Sequence, residues 1–134
     1  MAIAALITWL ITALGGIYMF GTWLARGGTR SGRSRLPAPV ILGHVALAVT
    51  GLVLWIIYLI ADTRALAWVA FVVLLPVALL GFTMLARWLP VHREHAAAHD
   101  ELAERHFPVP VVRVHGLFAV ATVVLVFLTA IGLG

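Results

Sequence analysis

Four long apolar runs, separated by shorter polar stretches, dominate the chain. They cover about residues 2–25, 38–61, 65–89 and 109–133. Each is close to the ~20 residues that a helix needs to cross the hydrocarbon core of a bilayer. The runs lack the strict alternation of a barrel strand. Helices, which satisfy their own backbone groups, are the remaining way to span lipid. The pattern predicts an all-α membrane protein, a four-transmembrane-helix bundle forming a single domain over residues 1–134. Pro37 and Pro39 open the second run and Pro108 and Pro110 the fourth. At a helix start the missing N–H of proline is not needed. Pro76 falls inside the third run and predicts a kink there. The first run has no basic start and is long and evenly apolar, so it reads as a membrane helix rather than a cleaved leader.

Composition agrees with this reading. Hydrophobic residues make up 63% of the chain and charged ones 10%, too little polar surface for a domain surrounded by water. There is no cysteine, which excludes disulfides, iron–sulfur clusters and thiolate zinc sites. The net charge is +4, but the basic residues sit beside the apolar runs and read as orientation signals and phospholipid contacts, not as a nucleic-acid surface. Arg26, Arg30, Arg33 and Arg35 lie in the first loop, and Arg87, Arg93 and Arg105 lie in or beside the third. The second is only the turn around Asp62, Thr63 and Arg64. An excess of arginine on the cytoplasmic side places the first and third loops there and both termini outside. The arginine-rich first loop, with its glycines and serines, reads as a flexible connector facing lipid headgroups.

The two halves of the chain repeat a pattern. The first run ends Gly16-x-x-Met19-x-x-x-Trp23-Leu24 and the third ends Gly81-x-x-Met84-x-x-x-Trp88-Leu89. In the second run His44 is followed by Ala48 and Gly51, and in the fourth His115 is followed by Ala119 and Thr122. A glycine adjoins each histidine, Gly43 before one and Gly116 after the other. Matched runs point the same way, so this is a parallel two-fold internal pseudo-repeat about an axis along the membrane normal. Binding sites tend to form where such repeats meet.

Of six histidines, only His44 and His115 fall inside the runs. Each lies some six residues past its helix start, about 9 Å deep at 1.5 Å per residue. An ionisable side chain inside a membrane span is a functional hypothesis by default. Two facing imidazoles suit haem iron, which takes one axial ligand on each side of the porphyrin. The small residues Ala48, Gly51, Ala119 and Thr122 would leave room for the plate. Met19 and Met84 with Trp23 and Trp88 would form apolar walls, and Arg26, Arg87 and Arg113 would pair with the propionates. Other readings stay open: another metal such as copper, a quinone, or histidines that only bond neighbouring carbonyls. Gly and Ala beside histidine also suit close helix packing.

The runs contain no Asp, Glu or Lys. Proton-coupled exporters usually place a carboxylate in the membrane, so that class is disfavoured. No nucleophile–base pair, phosphate loop or hydrolase signature is present. Between Val91 and Phe107, His92, His95, His99 and His106 share one face of an extended helix. That row reads as a solvated face or partner contact, with metal binding as the sharper alternative.

Ala86-Arg-Trp-Leu-Pro-Val91, Phe107-Pro-Val-Pro-Val-Val112 and the His115-Gly-Leu-Phe-Ala-Val-Ala-Thr122 stretch resemble a group of small four-span membrane proteins of high-GC actinobacteria. The resemblance covers roughly the last three runs. It implies a multi-pass protein of a bacterial cytoplasmic (inner) membrane and carries no established activity. The paired histidines are similar to the bis-histidine bundle of membrane b-type cytochromes, which implies haem b and electron transfer. A partner, a quinone or a second haem would then be required, and a larger membrane complex or a homo-oligomer is the wider expectation. The competing expectation is a non-catalytic scaffold or accessory subunit of a larger membrane complex.

Overall fold

The computed structural model describes residues 1–93 and 101–133. Four helices form: α1 Ala2–Ala25, α2 Ala38–Ala61, α3 Arg64–Arg93 and α4 Val109–Ala130. All four are long and apolar enough to cross a membrane. A short 3-10 turn, Ala103–His106, precedes α4. Pro37 and Pro108 are the N-cap residues of α2 and α4 in extended conformation, and Pro39 and Pro110 sit in the first turns. Helix α3 runs on through Pro90 to Arg93, beyond the apolar run that ends at 89, as the extended helix of the sequence reading expects. Helix α4 stops at Ala130 instead of 133, where Gly132 adopts a positive φ of 89° and Arg64 Nε donates to the Ala130 carbonyl at 3.1 Å. A cation at a helix C-terminus satisfies an orphan carbonyl and complements the dipole. A side chain at Gly132 would collide with that guanidinium.

Helix α1 packs along α4 and α2 along α3. The α3–α4 interface is smaller and the α1–α2 interface smaller still. The helices therefore follow one another around the bundle, with α2 diagonally opposite α4. Buried apolar residues divide into two clusters. One, near the end that carries both termini, centres on Ala5, Trp9, Trp55, Ala67, Ala70, Leu74, Val77, Val126 and Ala130. There Trp55 Nε1 donates to the Ala2 carbonyl at 3.2 Å, which gives the buried indole N–H its partner. The other cluster, at the end of the long loops, joins Trp23, Leu36, Ile41 and Ala103.

The first loop is a run of hydrogen-bonded turns, not the loose connector its composition suggested. Gly28 N–H reaches the Trp23 carbonyl and Gly27 N–H the Leu24 carbonyl, closing α1 in a Schellman motif with Gly27 at φ 75°. Turns follow from Gly27 to Arg30 and from Arg30 to Arg33. Trp23 Nε1 then donates to Ser34 Oγ at 2.9 Å. The loop is also tied to the segment before α4. Ala103 N–H donates to the Arg33 carbonyl at 2.8 Å and Arg35 N–H to Glu104 Oε1 at 2.6 Å.

Candidate functional site

His44 and His115 are each the seventh residue of their helices, so both sit about 9 Å along the helix from its start. Each is half-buried inside the bundle, and neither belongs to the two apolar clusters. Their ring centroids are 6.4 Å apart, with planes inclined at 54°. His44 Nδ1 lies 2.9 Å from the Val77 carbonyl of α3, and His115 Nδ1 lies 2.8 Å from the Thr12 carbonyl of α1. A carbonyl can only accept, so both rings carry their proton on Nδ1. In the neutral ring the lone pair then resides on Nε2. Metal-bound histidines are held in this way, with the second nitrogen donating to a carbonyl or carboxylate that orients the ring.

Those bonds depend on glycine. Helix side chains lean toward the N-terminus, so the residue at i+4 covers the carbonyl of residue i. Four residues after Thr12 stands Gly16, and four after Val77 stands Gly81. A Cβ at Gly16 would lie 3.2 Å from His115 Cε1, and one at Gly81 would lie 3.3 Å from His44 Cε1. Gly15 also meets His115, at 3.3 Å from its Cβ. The Nδ1–Cε1 edge of each imidazole therefore rests on a bare stretch of helix. The glycines next to the histidines in sequence do not have this role. Gly116 meets nothing within 4 Å and Gly43 only Leu80 at 3.8 Å.

The other expected site residues scatter. Ala48 packs partly against the cluster near the termini, and Ala119 is half-buried on α4. Gly51 and Thr122 were expected to border open space, but each has a protein neighbour. The indole of Trp9 would lie 3.0 Å from a Cβ at Gly51, and Thr122 Oγ1 is 3.0 Å from Thr8 Oγ1. Trp23 and Trp88 are corrected from site walls to loop anchors. Both are buried, and both commit their N–H groups to loops, Trp88 Nε1 donating to the Glu104 carbonyl at 3.0 Å. Met84 packs partly against the loop-end cluster and Met19 is half-buried. Arg26, Arg87 and Arg113 are exposed, and Arg87 Nη1 donates to the Arg35 carbonyl at 3.3 Å.

The proposed row of four histidines does not share one helix. His92 is on α3, stacked on Trp88 with centroids 4.8 Å apart, whereas His106 ends the 3-10 turn. His95 and His99 lie outside the described residues. Among the described residues no three His, Asp or Glu side chains gather as a metal-ion site. The sequence reading missed Glu104, which is fully buried with Oε2 lacking a hydrogen-bond partner. Only the closure of the first loop on the segment before α4 buries it.

No protein-family model, curated protein or solved structure matches this chain.

Proposed function

We propose that the chain is a small haem b-binding membrane protein or subunit for electron transfer, with the cofactor held between α2 and α4 by His44 and His115. The observation that carries this reading is the pair of imidazoles at one depth, 6.4 Å apart, each with Nδ1 donating to a carbonyl. If haem were bound, His44 and His115 would be the residues to hold its iron through Nε2. With no cysteine in the chain, covalent attachment of haem through thioethers is excluded, and a non-covalently held haem such as b is compatible with the sequence. Bound haem would supply one-electron chemistry. The protein's part is to present two neutral Nε2 atoms and to hold both rings in place from behind.

The energy scale favours this reading over histidines kept only for packing. A hydrogen bond between membrane helices contributes on average about 0.6 kcal/mol. Two such bonds are a small return for placing two ionisable rings within spans, where such groups are rare. The carbonyl bonds by themselves also suit a scaffold or accessory subunit, and the visible spectrum separates the two. Protein purified with haem available should show a sharp Soret band and, on reduction, narrow α and β bands of a six-coordinate iron. A fully helical preparation that stays colourless when haem is added would leave the scaffold reading in its place.

The arginine-rich loops support an orientation with this end of the bundle on the cytoplasmic side of a bacterial inner membrane and both termini outside. A reporter fused before residue 1 should be active only in the periplasm, and cytoplasmic activity would reverse the orientation. A single haem near the cytoplasmic face needs a redox partner, a quinone or a larger complex. The equivalent placing of Gly16, Met19 and Trp23 on α1 and of Gly81, Met84 and Trp88 on α3 supports a parallel pseudo-repeat with one imidazole from each half.

A further inference from the structure

The loop end carries a second site, independent of the histidines. Leu24, Ala25, Arg26, Gly27, Thr29, Arg30 and Arg33 surround a recess of about 370 Å³. Three of the nine arginines of the chain converge on it. The convergence is built by the backbone. The Schellman closure at Gly27 fixes Arg26, and the two succeeding turns bring back Arg30 and then Arg33. Trp23, buried beneath Gly28 and bonded to Ser34, holds the loop on the end of α1. Arg33 Nη1 lies 3.9 Å from the exposed carboxylate of Glu101, a loose surface pair. The floor is the last turn of a membrane span, where Leu24 and Ala25 are exposed.

We infer that this recess binds the phosphate of an anionic phospholipid, with Arg26, Arg30 and Arg33 around the headgroup and the acyl chains lying along α1 below Leu24. Guanidinium groups pair with phosphate oxygens through two parallel N–H bonds, and three of them at the membrane surface match a lipid that carries net negative charge. The recess is lined mainly by polar surface, and the exposed Leu24 at its floor is the contact that an acyl chain would gain and a free anion would not. The site differs from a diffuse basic surface because the turns fix where the arginines stand.

The test uses the full chain in detergent, with lipid binding followed by native mass spectrometry. Phosphatidylglycerol should bind and phosphatidylcholine should not. Arg26→Gln and Arg30→Gln should each weaken phosphatidylglycerol binding about fivefold, with Arg30→Lys restoring most of it. Arg113→Gln removes the same charge from the same end of the bundle outside the recess and should leave binding unchanged. Both recess arginines are exposed, and a thermal melt of each variant verifies the fold. Equal losses from Arg113→Gln and Arg30→Gln would overturn the site in favour of a general surface field. Equal binding of phosphatidylcholine, or displacement of the lipid by equimolar inorganic phosphate, would overturn the phospholipid assignment.

Discussion

Replacing His44 or His115 with alanine is expected to abolish the six-coordinate haem spectrum, because each substitution removes one axial nitrogen. Retained haem should become high-spin, with a broadened Soret band and lost α-band sharpness. Affinity should fall by on the order of 100-fold or more, since even loss of a group that only orients a ligand costs 10–100-fold. His106→Ala makes the same chemical change at an exposed position of the 3-10 turn and should alter nothing. The variants should keep their helix content, because the carbonyl bonds contribute only about 0.6 kcal/mol each. If both alanine variants retain a wild-type spectrum, these histidines are not the ligands.

The second large effect concerns the glycines behind the rings. Gly16→Leu and Gly81→Leu put a branched side chain where a Cβ alone would already stand 3.2 or 3.3 Å from an imidazole. Each should drive its histidine off the carbonyl and weaken haem binding roughly 10- to 100-fold without removing a ligand. The response should be graded. Alanine asks the ring to give by only a few tenths of an ångström and should cost little. The two positions should also behave alike, since they serve equivalent histidines in the proposed pseudo-repeat. Titration of the apoprotein with haem measures both points. Losses at Gly16 and Gly81 that differ by more than tenfold would argue against the two-fold relation, and no loss at either would show that the carbonyl bonds do not matter.

The spans could be read from the sequence because length and apolarity alone decide whether a helix crosses lipid, and nothing in the tertiary structure alters that. Boundaries were less legible. The end of α4 depends on Arg64, a residue from a different turn. The depth of the two histidines followed from counting residues along two helices. What lies behind each histidine did not, because that requires knowing that α1 pairs with α4 and α2 with α3. Gly16 and Gly81 had already stood out as the first letters of the repeated motif, and their reason became visible only across the interface. Trp23 and Trp88 were misread for the converse cause. A buried indole needs a partner for its N–H, and here loop atoms supply it: Ser34 for one and Glu104 for the other.

The two histidine bonds also set an order of assembly. His44 and Val77 are 33 residues apart and belong to consecutive spans, so their bond can form as soon as α3 has entered the bilayer beside α2. His115 and Thr12 are 103 residues apart and join the last span to the first. During synthesis α1 must wait in the lipid with Gly15 and Gly16 uncovered until α4 arrives. Of the two halves of the site, the one around His115 can therefore form only after α4 has entered the bilayer. A nascent chain halted before residue 109 would offer one imidazole and no second, so under the haem proposal the cofactor would load only once α4 is in place.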